Sequence, residues 1–321
     1  MAEVLFTGIY PRSSELVKAT RDLDRKRITK EQSAQFFIKD VDRLVSLEQK
    51  YGFKFSFEGQ LLFQDIFRPF AVNLEGLSVG ALTRCFENNT FFKQPEVSEK
   101  IGLGKEFITD YYFTNLMPQR NRLAVLPGPF TFSRLAKNSH YRNSSELALD
   151  FAGALNKQAK ILNSNGFSAF VFLEPGIAFL SDRKKLSKED IELSVDAINR
   201  AVSGLKGETF MHLYYGDASK LVSKLSGAKT TGIGIDFLGT APEKLEKNCL
   251  EGKALIAGIA DSRNSLVETV EELKAVAEAA VKKAAPCRLY LSSNTDLEFL
   301  PTNIAEKKLE ALAKTAKRLE A

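Results

Sequence analysis

The sequence predicts an α/β protein: a single-domain (β/α)8 TIM barrel over residues 1–321, with an enlarged connection between its second and third strands. Three observations predict it. Short β-rich apolar runs alternate with helical patterns, giving five β/α repeats in the second half of the chain. The runs are near-continuously apolar, as strands of a covered parallel sheet must be. Finally, nearly every run ends in polar side chains, and barrels of this kind carry their ligand groups at those ends.

In order along the chain, residues 4–7 read as the first strand, after which Pro11 and Ser13 can open a helix. A long helical pattern covers 29–50, and a short strand is expected at 54–57. From Gly59 to Gln119 the pattern is irregular and Phe-rich, with turn signals at Asn88-Asn89 and Pro95; it reads as a hairpin leaning over the barrel mouth. Residues 123–126 form a clear strand, stopped by Pro127-Gly128-Pro129. The second half then gives strands at 169–173, 209–214, 232–237, 254–260 and 288–291. Between and after them lie helical patterns at 187–203, 218–225, from Pro242, at 266–284 and at 304–319. An open doubly wound sheet satisfies the same alternation, and it is the count of eight strands that favours closure.

Composition bounds the function classes. The 321 residues are 44% apolar and 26% charged, enough for a large core. The net charge of +5 is spread along the chain, unlike the basic face of a nucleic-acid binder, and leaves room for an anionic ligand. Cys85, Cys249 and Cys287 form neither a CxxC pair nor an even framework, so a reducing cytoplasm and packing roles are expected. No apolar run reaches the roughly 18–20 residues a membrane span needs, and the stretch from Met1 lacks the marks of a secretory leader. No glycine-rich phosphate loop occurs; Gly232-Ile233-Gly234 reads as a strand with small residues.

Candidate site residues are therefore sought past the strand ends. They are Thr7, Gly8, Tyr10 and Arg12; Glu58, Gln60, Asp65 and Arg68; Glu174; His212, Tyr214, Tyr215 and Asp217; Asp236; Asp261 and Arg263; and Asn294, Thr295, Asp296 and Glu298. Several carry two readings. His212 is either a buried histidine bonded to a carbonyl or a metal ligand or general base. Glu174 either caps a helix, forms a buried pair or serves the site; Asp217 and Asp261 divide between capping and function, and Asp236 has no obvious cap partner. Glu174, His212, Asp261 and Arg263 are the catalytic candidates. Thr7, Gly8, Gln60, Asp65, Arg68, Tyr214, Asp217, Asn294 and Asp296 are the substrate-binding ones. His212 and Asp236 form an incomplete metal pair.

Several runs carry a resemblance. They are Thr7-Gly8-Ile9-Tyr10-Pro11-Arg12-Ser13, His212-Leu213-Tyr214-Tyr215-Gly216-Asp217, Gly234-Ile235-Asp236, Gly258-Ile259-Ala260-Asp261-Ser262-Arg263 and Ser293-Asn294-Thr295-Asp296-Leu297-Glu298. In order and placement they resemble the cobalamin-independent methionine synthases, most of all the short single-barrel archaeal forms. The resemblance implies a (β/α)8 barrel. It also implies zinc holding homocysteine as a thiolate that attacks the methyl of a folate, pterin or corrinoid donor.

The chain departs from that pattern at named positions. His212 is kept and Asp236 replaces a glutamate, but Tyr214 and Thr295 stand where the resemblance places the zinc cysteines. Asn294 and Gln60 replace acids tied to the homocysteine amine, Leu173 replaces an aspartate before the retained Glu174, and Asp261-Ser262-Arg263 stands where a histidine is expected. Zinc then needs Glu298, Asp296 or a partner to complete it. Three readings follow: a methyltransferase or donor-binding subunit acting with homocysteine, a non-catalytic partner of a zinc-bearing methionine synthase barrel or a corrinoid protein, and a transferase of another small molecule. The last would use Glu174, His212, Asp236 and Arg263 as acid, base and anion clamp. Neither nucleic acid nor membrane is an expected partner.

Overall fold

A computed structural model describes residues 2–320, leaving Met1 and Ala321, the ends of the stretch read above, outside the described residues. Seven parallel strands form one curled sheet. In sheet order they are β1 (Ala2–Val4), β10 (Arg288–Ser293), β9 (Ala254–Ala260), β8 (Gly232–Asp236), β7 (Glu208–Leu213), β6 (Phe167–Leu173) and β4 (Arg122–Pro127). The eighth position is held by the segment read as the second strand. It joins β4 through one parallel bridge, Ser56 to Arg122, flanked by Ser56 N–H donating to Asn121 O and Leu123 N–H to Ser56 O. Toward β1 side chains make the seam: the Phe6 and Phe57 rings lie 4.9 Å apart and Lys54 Nζ reaches Glu3 at 3.0 Å. The fold is thus a TIM-type barrel with one degenerate strand.

Inside the barrel, small and large residues alternate across neighbouring strands. A Cβ at Gly232 would lie 2.7 Å from the Phe210 ring, and one at Gly234 would lie 2.7 Å from the His212 ring. The two glycines of β8 therefore make room for the bulky inward residues of β7. Phe210 packs on Tyr290, and Tyr290 on Phe55, filling the floor.

Helix starts follow the local chemistry. Ser13 caps α1 (Ser14–Asp24), and Thr29 with Gln32 forms a capping box at α2 (Lys30–Tyr51). Two expectations shorten: the helix from 266 begins only at α9 (Val270–Ala284), because Thr269 and Glu272 cap it there, and the pattern at 218–225 yields only α8 (Val222–Leu225). Pro242 opens a single 3-10 turn. The reading missed α4 (Pro129–Leu135), α5 (Ser144–Ser164) and α6 (Pro175–Asp182), which cover the middle of the barrel beside α7 (Lys188–Ala201).

The irregular stretch folds after α3 (Arg68–Asn73) into an antiparallel hairpin of β2 (Leu77–Arg84) and β3 (Phe91–Val97), with β5 (Lys137–Asn138) at its edge. Its tip, 85–90, hangs over the barrel mouth as expected. Thr90 Oγ1 lies 3.2 Å from the Tyr215 hydroxyl, Arg183 bonds Glu87, and Phe86 packs on Phe179. No described helix is long and apolar enough to cross a membrane.

Candidate functional site

The C-terminal mouth carries two open clefts with a narrow chamber between them. The first cleft, about 640 Å³, lies between Arg12, Arg43, Phe63, Glu298 and the first turns of α1 and α10 (Thr302–Glu320). The second, about 480 Å³, runs under the hairpin tip past Arg183, Asp217, Asp236, Asp261 and Arg263. The chamber, about 50 Å³, is bounded by Phe92, Tyr214, Tyr215, Asp296 and Glu298. It shares Ile9 and Glu298 with the first cleft and Tyr215 with the second.

The candidate residues divide by what holds them. At the end of β7, His212 is fully buried, and burial lowers its pKa to about 3, so the ring is neutral at physiological pH. Its Nδ1 lies 3.2 Å from Thr7 Oγ1, while Nε2 is buried without a hydrogen-bond partner among the described residues. Glu174 is also fully buried, and its carboxylate serves the start of α4. It accepts from Phe130 N–H (2.9 Å), Thr131 N–H (2.7 Å) and the Thr131 hydroxyl (2.6 Å). Burial outweighs those bonds and raises its pKa to about 7.

Asp236 and Asn294 tie three strand ends together. Asp236 accepts from Leu238 N–H, Gly239 N–H and Asn294 Nδ2, and Asn294 Oδ1 accepts from Ser262 N–H. Thr295 Oγ1 meets Ser262 Oγ at 2.6 Å. Asp217 accepts from Ser219 N–H, and Asp261 from Arg263 N–H, so both act as local caps whose side chains still line the second cleft. The Arg263 guanidinium lies 4.6 Å over the Tyr215 ring.

Thr7, Gly8, Gln60, Arg68, Glu174 and His212 line none of these open spaces, whereas Asp65 borders the chamber. Gln60 is buried, donating to Val125 O, and lines none of the clefts described. Asp65 pairs with Arg68 at 3.1 Å and also accepts from Phe67 N–H and Lys93 N–H, so it pins α3 to the hairpin. Gly8, at φ +86°, sits where a Cβ would fall 1.8 Å from Asp296 Oδ1; only glycine admits that carboxylate.

Residues with a fit to zinc are wanting. Tyr214 and Thr295 offer no thiolate, His212 Nδ1 faces Thr7, and Asp236 spends Oδ1 on its turn and on Asn294. No cluster of three or more His, Cys, Asp or Glu is placed to hold a metal among the described residues. The resident side chains thus do not match a thiol-activating zinc centre.

The sequence reading missed the hairpin's contribution. Cys85, Thr90 and Phe92 face the chamber, a placement that only the tip's fold decides. It also missed Lys308, fully buried on α10, which holds Glu268 at 2.8 Å and Leu266 O. Glu268 in turn accepts from Asp261 N–H, so this pair anchors the loop that carries Arg263.

Comparison with known proteins agrees with the architecture. The chain is 25% identical over 314 residues to a methionine synthase of Saccharolobus solfataricus, covering 97% of this chain and 92% of that one. It is 24% identical over 311 residues to a methionine synthase of Sulfolobus acidocaldarius, covering 96% and 89%. In three dimensions it is similar to a B12-independent methionine synthase from Shewanella sp. W3-18-1, with a TM-score of 0.74 and 21% identity over 91% of this chain and 90% of that one. The family model described as cobalamin-independent synthase, N-terminal domain, matches residues 72–285, more than half of the chain. The chain belongs to the cobalamin-independent methionine synthase family.

Proposed function

We propose that this chain, acting as one barrel domain, serves methionine synthesis by binding a methyl donor of the methyl-folate or pterin class. In this reading it presents the methyl group for transfer to homocysteine, which is activated on a separate catalytic barrel. The observation that carries the reading is the mismatch at the strand ends, where Tyr214, Thr295 and a Thr7-bonded His212 replace a thiol-activating set while both flanking clefts stay open.

The clefts suit the two ends of such a donor. Arg12, Arg43 and the first turns of α1 and α10 favour an anionic tail. Asp217, Asp236 and Asp261 offer carboxylate oxygens to the N–H edge of a pterin ring. The hairpin tip would exclude water from the methyl group. Exposed Leu238, Leu266 and Phe299 on the rim support a mouth that meets another protein surface.

The test is to measure methyl-pterin binding by fluorescence titration. Methionine formation is then followed with homocysteine, for the chain alone and with a zinc-bearing methionine synthase barrel added. Donor binding by the chain alone, with methionine formed only on mixing, is expected. Methylation by the chain alone, lost in His212→Ala together with bound zinc, would overturn the reading, and so would absence of donor binding.

A further inference from the structure

The chamber at the centre of the mouth is walled by two carboxyl groups, Asp296 and Glu298, and no cation is hydrogen-bonded to either among the described residues. Asp296 uses Oδ1 to accept from Ile9 N–H at 2.8 Å, which leaves Oδ2 without a partner among the described residues. Glu298 makes no hydrogen bond or ion pair among the described residues, and it lines the chamber beside Asp296. Arg12 acts on Glu298 through its charge from the shared first cleft, but its hydrogen bonds, like those of the other nearby cations, are made elsewhere. Arg12 donates to the Leu61 and Phe63 carbonyls, Arg68 is paired with Asp65, and Arg263 lies over Tyr215 on the side of the second cleft. Burial, the first cause in each case, raises Asp296 to about 6 and Glu298 to about 8, the latter helped by Asp296.

A second observation points to a ligand. Tyr214 is only 5% exposed, lines the chamber, and its hydroxyl has no hydrogen-bond partner among the described residues. A phenol in so enclosed a place ordinarily finds a partner, so this hydroxyl is left available to a ligand in the chamber. Beside these oxygens stand the aromatic faces of Tyr215 and Phe92, and ring faces attract cations.

We propose that this chamber binds an alkylammonium group, its N–H donors shared among Asp296 Oδ2, the Glu298 carboxylate and the Tyr214 hydroxyl oxygen, with its carbon side against Tyr215 and Phe92. The space admits a head group only, and the rest of the ligand passes Glu298 into the first cleft, since Ile9 and Glu298 line both. A divalent metal is a poorer occupant, because no cluster of three ligating side chains is present among the described residues.

The experiment is ligand-observed NMR titration of the full chain with methylammonium, and with methanol as its neutral isostere. Saturable binding of methylammonium alone is expected, weakened about tenfold or more in Glu298→Gln and in Asp296→Asn, as loss of a charge-assisted hydrogen bond predicts. Circular dichroism confirms that both variants fold, and Glu298→Gln, at the less buried of the two carboxyls, keeps the test valid if Asp296→Asn does not. Equal binding of methanol, binding unchanged in Glu298→Gln, or no binding up to about 100 mM overturns the proposal. The probe carries neither a pterin ring nor an activated methyl, so its outcome is independent of the donor-binding reading.

Discussion

Two regions of this barrel are built on different principles. From Arg122 to Ser293 six strands follow one another with continuous parallel ladders, each buried along nearly its whole length. Before Arg122 the barrel receives only β1 and a one-bridge segment, and the remaining residues form long helices and a hairpin. The ladders give the first region rigidity that does not depend on any single side chain. The second region is held by individual contacts: Asp65 to Lys93 N–H, Thr90 to Tyr215, Arg183 to Glu87. One region therefore positions the site, while the other covers it and is the part able to open.

The contrast breaks first on core truncation. Phe210→Ala, at a fully buried ring between Tyr290 and the β8 glycines, should lose about 3–5 kcal/mol of unfolding free energy. Replacing the hairpin tip 86–89 by Asn-Gly should change it by under about 1 kcal/mol. Urea unfolding followed by circular dichroism compares the two, and similar losses would mean that the hairpin is part of the cooperative core.

Lys308→Met tests whether the regular half has its own weak joint. It leaves Glu268 without its cation and should cost about 3 kcal/mol. Proteolysis and amide exchange should accelerate within 261–269. A uniform effect over the chain would show that the pair serves general stability and not the loop bearing Arg263.

A gentler probe is pH. Glu174 has a folded pKa of about 7 against an ordinary 4.5, so the folded state holds its proton while the unfolded state loses it. Stability should then fall as pH rises through that window, by at most about 1.4 kcal/mol per pH unit from this group. Glu174→Gln should flatten that slope, as denaturation at a series of pH values would report. A slope identical in the variant assigns the effect to Glu58, Asp296 or Glu298, which burial also raises.

The smallest effect belongs to the latch. Thr90→Val removes the contact with the Tyr215 hydroxyl, worth about 0.5–1.5 kcal/mol. It should speed exchange at the hairpin tip while leaving the global midpoint nearly unmoved. No change at the tip would locate the closing contact at Phe86 or Glu87 instead.

Legibility in the sequence followed the same divide. The strand at 254–260 matches β9, because seven apolar residues bounded by polar ends admit one reading. The helix at 144–164 escaped notice, although Asn143 and Glu146 cap it, and so did the two short proline-led helices, which have too few turns to show a period. At the site, the polar strand ends were legible as a group. Their division into working and supporting roles was not, since Glu174 and Asp65 differ from Asp296 in the backbone N–H groups and side chains that the fold brings to them.

The sequence by itself determined the barrel, because burial on both faces forces an apolar period that survives in one dimension, and it determined the missing thiolates, because residue identity is local. Tertiary structure alone decided that Gly8 admits Asp296, that the hairpin tip closes on Tyr215, and that Tyr214, Asp296 and Glu298 line one chamber. Those are contacts between residues as far apart in sequence as Gly8 and Asp296, where distance and desolvation, not composition, set the chemistry.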